Sequence, residues 1–326
     1  MIVWITFAAF LISGCLAFIT LKVIIPLLTE AGLTGTDLHK GELTEIPEMG
    51  GLGMVVGISG GLVLLIGAEA FLNVSLDVVP LLAVMATILV VSFIGVFDDL
   101  LDISQLVKAI SPIFAALPLM AIRAGATKLK IPLLGEVKFG LAYPLVLIPL
   151  GVTGASNAVN MLAGFNGMEV GVGLVAISFL AVIAGIIESW TAFLILMIGL
   201  ASLISTLYFN WYPARVMIGD VGTLTIGALI ASAVIIGNFE TAGVIIIIPY
   251  FIDFILKALN GFPSSEWAGK LDEENGKLIC PGKFPVSFPQ LVMKISGGIK
   301  ERNLTLVFMF IESLAGMAGV LVYLLR

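Results

Sequence analysis

The chain has 326 residues, of which 60% are hydrophobic and only 12% charged, and its formal net charge is −6. Soluble domains carry about 25% charged residues, so this composition excludes a water-soluble protein and indicates a polytopic membrane protein. The acidic balance and the lack of a basic run argue against nucleic-acid binding. The two cysteines, Cys15 and Cys280, predict neither a disulfide nor a metal site.

The apolar stretches predict about ten transmembrane helices in one domain (1–326), because a span needs roughly 20 apolar residues. In chain order they are Ile2–Leu28, Gly50–Leu72, Val78–Phe97, Leu106–Ile122, Leu141–Val159, Val170–Ile187, Thr191–Tyr208, Leu224–Ile236, Ala242–Leu259 and Leu304–Leu325. The fold class is therefore all-α. The first stretch lacks a basic leader and is too long for a signal-peptide core, which is typical of a retained membrane helix.

The basic residues indicate which face of the membrane each loop occupies. One face collects Lys40, Arg215, Lys270, Lys277, Lys283, Lys294, Lys300 and Arg302, and the other has Arg123, Lys128, Lys130, Lys138 and Arg326. By the positive-inside rule the first face is cytoplasmic, and both termini are external. The alternating external loop 126–140 predicts a small β-hairpin.

The longest hydrophilic segment, 260–302, precedes the last span on the cytoplasmic side. It is too long for a minimal connection, which favours a substrate loop or lid. A disordered tether is the alternative.

Three acids follow the third span. Carboxylates as close together as Asp98, Asp99 and Asp102 repel one another unless a cation lies among them. Mg²⁺ suits such a site because it prefers oxygen ligands and is often shared with substrate phosphates; a solvated helix end is the alternative. Lys108 would point away from Asp99 on a continuous helix, so we expect a turn between them with Ser104 as the cap of the next helix. A snorkelling lysine is the alternative.

Further polar motifs follow the fifth and seventh spans, on the same face as these acids. Asn157 and Asn160 share a helix face, where buried amides can ligate a metal or read a base edge. Asn166 precedes a glycine and also fits a simple turn. Arg215 can hold a phosphate or carboxylate, or only mark the cytoplasmic side. Asp220 lies between glycines, which suits either close approach of a ligand or a tight turn.

Two other charged groups have simpler interpretations. Asp253 and Lys257 are four residues apart on the ninth span, which favours a structural pair. His39 is the only histidine, and a lone histidine in a loop is more often solvated than catalytic.

Taken together, these segments resemble the polyprenyl-phosphate N-acetylhexosamine-1-phosphate transferase superfamily. The similarity covers nearly the whole chain and is strongest to the dolichyl-phosphate GlcNAc-1-phosphotransferase branch. An enzyme of the archaeal type is the favoured interpretation. Residues 157–169, NAVNMLAGFNGME, are similar to NAINILAGINGLE of that branch, and residues 210–220, NWYPARVMIGD, to NWYPSRVFVGD. Residues 301–305, ERNLT, and 46–48, IPE, match two further motifs.

The resemblance implies a UDP-sugar donor, a polyprenyl or dolichyl phosphate acceptor, and Mg²⁺ or alternatively Mn²⁺. It implies that Asn160 and Asp220 hold the metal, and that Asp98 and Asp99 flank the lipid phosphate while Lys108 steadies a phosphate. Gly164 and Asn166 would contact uracil, with Met217 near the ring and Glu48 near the sugar. The full set of predicted substrate-binding residues is Glu48, Gly164, Asn166, Met217, Asn157 and Arg215.

The implied reaction moves GlcNAc-1-phosphate to the lipid with release of UMP, the first step of lipid-linked oligosaccharide assembly for protein N-glycosylation. One-step displacement is preferred, and a covalent aspartyl intermediate is the alternative. The resemblance implies a cell-membrane enzyme with a cytoplasmic active site, or an ER enzyme if the source is eukaryotic; a homodimer is compatible with it.

Two departures bear on the substrate. Residues 261–267 lack the His or Arg of the family's sugar-binding motif, and Asp102 stands where the branch tends to have Asn. The donor sugar therefore stays open, with UDP-MurNAc-pentapeptide as one alternative. A membrane transporter is the alternative from another class, although such proteins place charges at mid-membrane and these acids lie at span ends.

Overall fold

The computed structural model describes residues 2–37, 44–101, 103–131, 135–263 and 266–325. The helices in this part of the chain are α1 Ile2–Glu30, α2 Gly51–Leu72, α3 Val78–Leu101, α4 Gln105–Ile110, α5 Pro112–Ala115, α6 Leu117–Ala121, α7 Ile148–Met161, α8 Met168–Ile186, α9 Trp190–Asn210, α10 Gly219–Gly237, α11 Glu240–Ile246, α12 Ile248–Leu259, α13 Phe288–Ser296 and α14 Glu301–Leu324. A π-helical turn, Tyr143–Leu147, leads into α7. The predicted all-α membrane architecture is confirmed.

The number of membrane crossings differs from the prediction of about ten. In the described residues, α1, α2, α3, α8, α9, α10 and α14 are long and apolar enough to cross a membrane, and α11 with α12, bent by 54°, can supply an eighth crossing. The predicted fourth span is broken into α4, α5 and α6, where Pro112 and Pro118 start new helices because proline cannot donate a backbone hydrogen bond. The predicted fifth span corresponds to the π-helical turn followed directly by α7, in which α7 itself has 14 residues. The predicted count is therefore only approximate.

Helix α10 lies at the centre of the bundle, with 83% of its span buried. Gly95 of α3 lies against the backbone of Val221, and Gly227 of α10 lies against the carbonyl of Ala155 in α7. A Cβ atom at either glycine would come within 2.5 Å of those backbone atoms. Small residues let membrane helices approach closely. As a result, the end of α3, the start of α10 and the end of α7 meet at one end of the bundle.

Within the described ranges, three antiparallel strand pairs lie outside the helices. The predicted hairpin of the 126–140 loop is confirmed as β3 Lys128–Ile131 and β4 Gly135–Lys138. The pair β1 Thr34–Asp37 and β2 Thr44–Pro47, and the pair β5 Lys270–Asp272 and β6 Lys277–Ile279, were not predicted. Strands this short carry too few residues for an alternating pattern to stand out in sequence.

The described part of the 260–302 loop is folded rather than a disordered tether. It contains β5, β6 and α13, and it buries Leu278 and Met293 against the bundle. Leu278 also exchanges backbone hydrogen bonds with Ile299 at 2.7 and 3.0 Å. The described part of the loop is therefore an ordered segment whose apolar residues join the core of the protein.

Candidate active site

The centre of the candidate site is a lysine shared by two carboxylates. The Nζ atom of Lys108 lies 2.5 Å from Oδ2 of Asp98 and also contacts Oδ2 of Asp220. The side chains of Asp98, Asp220 and Lys108 are 6%, 17% and 22% exposed. Such shielding strengthens electrostatic interactions, and the ammonium offsets repulsion between the acids. The structure thus brings together three predicted residues from separate segments.

Lys108 is positioned by the turn after α3 and by a contact from α7. Ser104 stands at the N-cap position of α4, as predicted, but its side chain makes no capping hydrogen bond. The amide Nδ2 of Asn157 donates to the carbonyls of Ala109, at 2.8 Å, and Thr153, at 3.0 Å. The Asn157 amide therefore ties α7 to α4 beside Lys108. Both N–H donors of Asn157 are thus engaged by the protein, and its contact with substrate stays a prediction.

Asp99 faces the backbone of α10 instead of Lys108. Its two carboxylate oxygens accept the N–H groups of Asp220 at 2.9 Å and Val221 at 3.3 Å. These are first-turn N–H groups, which have no partner within a helix. Gly219 precedes them with a φ of +63°, and a Cβ there would approach Asp99 Oδ2 to 2.5 Å. Asp99 therefore holds the start of the helix that carries Asp220.

Asn160 lies at the same level of the bundle as Asp220. The Oγ atom of Ser156 donates to the carbonyl of Leu224 at 3.1 Å, and α7 and α10 run antiparallel. Asn160 lies four residues after Ser156, and Asp220 lies four residues before Leu224. Because the helices are antiparallel, both steps of about one turn, or about 6 Å, run toward the same end of the bundle. The side chain of Asn160 is half-buried, and within the described residues no hydrogen bond to it is found. Its amide oxygen is thus open to a ligand.

Asn166 has a different position from the one that the resemblance implied. Its side chain is fully buried, donates to Asp37 at 3.1 Å and to Glu301 at 2.9 Å, and accepts the N–H of Ala214 at 2.7 Å. The carbonyl of Asn166 accepts the hydroxyl of Thr305 at 3.0 Å. Both amide donors are therefore engaged, and the side chain joins β1, the start of α14 and the loop before α10. Its contact with uracil stays a prediction.

Gly164 lies directly under a residue of the 260–302 loop. It has a φ of +104°, and a Cβ on it would lie 2.1 Å from the edge of the Trp267 ring. Its N–H donates to the carboxylate of Glu169. The Trp267 ring also meets Phe165 edge-on, with centroids 6.0 Å apart. Only a glycine fits this place, and the sequence alone did not show that Trp267 would cover it.

The backbone of Met217 is hydrogen-bonded to the two sides of the segment that carries Glu48. The N–H of Met217 donates at 2.8 Å to the carbonyl of Pro47, next to Glu48, and the carbonyl of Met217 accepts the N–H of Gly50 at 2.9 Å. Burial raises the pKa of the Glu48 carboxyl above its usual 4.5. Glu48 is also close enough to Asp99 for electrostatic repulsion. Glu48 therefore borders the cluster, and Met217 lies beside the segment that carries Glu48.

Arg215 does not join the carboxylate cluster. Its side chain is exposed, donates to the carbonyl of Tyr208 at 2.7 Å, and lies over the Tyr208 and Phe209 rings at 4.4 and 4.7 Å. It lines an apolar groove with Trp211 and Tyr212. A role of Arg215 in binding substrate stays a prediction. The predictions for His39 and Asp102 fall outside the described residues.

The oxygen donors of the cluster fit a magnesium ion that shares its ligands with a substrate. Across the described ranges, no group of three or more His, Cys, Asp or Glu residues is arranged to hold a metal by itself. Mg²⁺ is usually bound by one or two carboxylates together with substrate phosphates and water. Asp220, its neighbour Asp98 and the amide oxygen of Asn160 form such an incomplete set. Lys108 lies between the two carboxylates, where it balances their charge.

Comparison with known proteins agrees with the geometry. A family model described as glycosyl transferase family 4 matches residues 81–238. A protein of Saccharolobus solfataricus is 36% identical over 95% of this chain and 94% of its own length; it bears the provisional name UDP-N-acetylglucosamine–dolichyl-phosphate N-acetylglucosaminephosphotransferase. A protein of Dictyostelium discoideum with the same name, there without qualification, is 29% identical over 94% of this chain and 85% of its own.

A bacterial relative covers less of the chain. The phospho-N-acetylmuramoyl-pentapeptide-transferase of Clostridium perfringens is 31% identical over 49% of this chain and 54% of its own length. All three relatives are named as transferases, so the transporter alternative is set aside. The chain is an integral membrane enzyme and belongs to glycosyl transferase family 4.

Proposed function

We propose that this enzyme transfers N-acetylglucosamine-1-phosphate from UDP-N-acetylglucosamine to dolichyl phosphate or a similar polyprenyl phosphate, with release of UMP. The observation that carries the proposal is the cluster of Asp98, Lys108 and Asp220 at the common end of α3, α4 and α10. A cation and two acids at helix ends suit a reaction between a water-soluble diphosphate and a lipid phosphate. The names of the archaeal and amoebal relatives support this choice of donor and acceptor.

In the reaction, an oxygen of the lipid phosphate forms a bond to the β-phosphorus of the donor. The bond from that phosphorus to the bridging oxygen breaks, and its electron pair leaves with UMP. The second pKa of a phosphate monoester is about 6, so the attacking group is already largely ionised and needs no strong base. Lys108 attracts phosphoryl oxygens, and Asp98 holds the ammonium of Lys108 in place. Positioning and charge stabilisation are the usual means of phosphoryl transfer.

One-step displacement fits the two acids better than a covalent aspartyl intermediate. Asp99 is engaged by two backbone N–H groups, and Asp98 is bound to Lys108. A carboxylate engaged in such contacts is a weaker nucleophile than a free one. Both acids are thus assigned to placement.

The enzyme is further proposed to use Mg²⁺, with Mn²⁺ as a substitute. Asp220 and Asn160 would hold it, with Asp98 nearby. When bound, the ion neutralises charge on the diphosphate and on the leaving group. The active end of the bundle is proposed to face the cytoplasm of an archaeal-type cell, because most basic loop residues lie on that face.

The decisive experiment is a transfer assay with purified protein in detergent. Dolichyl phosphate and Mg²⁺ are combined in turn with UDP-GlcNAc, UDP-GalNAc, UDP-Glc and UDP-MurNAc-pentapeptide, and UMP release is measured. Release with UDP-GlcNAc that needs both lipid and metal is expected. Release with another donor only would keep the chemistry and change the substrate.

Asp220→Ala provides the matched inactive control. Removing this carboxylate takes away a partner of Lys108 and the proposed metal ligand. Turnover should fall by about 100-fold or more, the range found when a charge-stabilising group is removed. Full Mg²⁺-dependent turnover in Asp220→Ala would contradict the assignment of this site.

A further inference from the structure

A second buried ion pair lies beside the candidate site. The Nζ atom of Lys257 is 2.9 Å from Oδ2 of Asp253, and the two side chains are 7% and 0% exposed. Both residues belong to α12, with Lys257 in its last turn. The sequence predicts only a structural pair. The contacts of the pair, however, reach the end of α7, Trp267 and the start of α13.

The first contact reaches the end of α7. The ammonium of Lys257 donates to the carbonyl of Met161. Met161 is the last residue of α7 and follows Asn160, the proposed metal ligand. A terminal helix carbonyl has no partner within its own helix, and cations are favourable there. Lys257 therefore fixes the position of the helix end that presents Asn160.

The second contact reaches Gly164. The ammonium of Lys257 lies 4.8 Å from the centre of the Trp267 ring, a distance at which a cation is attracted to the face of an aromatic ring. The edge of the same ring occupies the space where Gly164 would carry a side chain. Lys257 thus holds Trp267 against the loop that follows α7.

The third contact is made by Asp253. Its Oδ1 atom accepts the backbone N–H of Phe288 at 2.7 Å, at the start of α13. The hydroxyl of the preceding Ser287 donates to the carbonyl of Trp267 at 2.9 Å. Carboxylates are favourable at a helix start. Asp253 therefore anchors the 260–302 loop at the start of α13, next to the residue of that loop that is hydrogen-bonded to Trp267.

We propose that Asp253 and Lys257 are positioning residues that couple the 260–302 loop to the donor site. The pair contacts α13 on one side, and the end of α7 and Trp267 on the other. Movement of the loop would therefore displace Asn160 and Gly164 together. The pair is assigned to positioning because its contacts are with the carbonyl of Met161, the Trp267 ring and the N–H of Phe288. This coupling rests on the proposed function, because the donor is what the positioned groups would bind.

Lys257→Met tests the coupling, with Lys257→Arg as the conservative variant. The matched control is Tyr143→Phe, which removes a buried hydrogen bond to Glu240 at the opposite end of α7 and α10. Lys257→Met should raise both the KM for UDP-GlcNAc and the Mg²⁺ concentration for half-maximal rate by about 10- to 100-fold, the effect typical of residues that support metal ligands. Lys257→Arg should restore part of each loss. Tyr143→Phe should lower only the Tm.

Hydrogen–deuterium exchange gives a second measurement that does not depend on turnover. Lys257→Met should speed exchange of the amides in 161–166 and 266–288, whereas Tyr143→Phe should leave those segments unchanged. If Lys257→Met changes only the Tm, as the control does, the pair is purely structural and the coupling is wrong. If the wild-type enzyme releases no UMP, the proposed function fails, and the exchange data alone decide the coupling.

Trp267→Phe covers the case in which Lys257→Met does not fold. This change keeps an aromatic ring but shortens its reach to Gly164. It should raise the KM for UDP-GlcNAc and speed exchange of 161–166 with little change in Tm. Unchanged KM and exchange in Trp267→Phe would overturn the coupling through this ring.

Discussion

The carboxylate of Asp99 accepts the backbone N–H of Asp220 at 2.9 Å, so Asp99 acts on Asp220 through the start of α10. We predict that Asp99→Ala lowers the free energy of unfolding by about 1–2 kcal/mol, the cost of losing a helix cap. UMP release should fall as well, because Asp220 loses its support. Asp99→Asn, which keeps one acceptor oxygen, should lose less of both. Thermal unfolding and UMP release of the two variants check this.

A different result would identify Asp99 as a group that reacts with substrate. In that case Asp99→Asn would be as inactive as Asp99→Ala while both unfolded at the wild-type temperature.

Lys108 shares its charge between Asp98 and Asp220, and a divalent cation can replace part of that charge. We expect Lys108→Met to lower the Tm in metal-free buffer, because two nearly buried carboxylates then face each other without a cation. Added Mg²⁺ should raise the Tm of Lys108→Met more than that of the wild type. Lys108→Arg, which keeps the charge, is the control. Equal Mg²⁺-induced shifts in all three proteins would show that the metal binds elsewhere.

Asn157 and Asn160 share a face of α7 but should respond differently to replacement. Asn157→Ala removes two hydrogen bonds to carbonyl groups, each worth about 1 kcal/mol, and should lower the Tm. Asn160→Ala should leave the Tm nearly unchanged and raise the Mg²⁺ requirement by about tenfold or more. Metal titrations of UMP release and thermal unfolding separate the two cases. A similar profile for both variants would argue against Asn160 as a metal ligand.

Gly164 cannot accept a side chain while Trp267 lies over it. Gly164→Ala would place a methyl group 2.1 Å from the indole ring at a φ of +104°. We expect a loss of about 1–3 kcal/mol from overpacking, together with weaker donor binding. In the double variant Gly164→Ala/Trp267→Ala, the loss of stability caused by the clash with the indole ring should be relieved. The loss caused by the positive φ at position 164 should stay. If the double variant is no more stable than Gly164→Ala, the contact between the two residues is not the cause.

The pKa of Glu48 predicts how stability depends on pH. Burial raises this pKa above 4.5 in the folded enzyme, so between those two values the folded state binds more protons than the unfolded state. Stability contributed by protonated Glu48 is therefore present below 4.5 and is lost as the pH rises through the raised pKa. Glu48→Gln should remove this part of the decline in stability with rising pH. Tm profiles of both proteins over the mildly acidic range check it, and parallel profiles would contradict it.

Composition and motif order were enough to predict the membrane class, the common face of the polar loops and the family. Apolar length decides membrane insertion, and the order of spans decides the face on which each loop emerges. The same reasoning predicted one continuous helix at 106–122, where the structure has three short ones. Hydropathy measures apolar content, but prolines such as Pro112 and Pro118 break the helix that this content suggests.

The roles of individual polar residues depended on the tertiary structure. Asn160 and Asn157 look equivalent in sequence, yet only Asn157 has its amide bound to a neighbouring helix. Asn166 and Arg215 belong to the most recognisable motifs, but one is buried in a network and the other faces an apolar groove. Trp267 and Gly164 come together only because the 260–302 loop folds back on α7. A hydrogen-bond partner is set by contacts between residues distant in sequence, and local patterns carry no information about those distances.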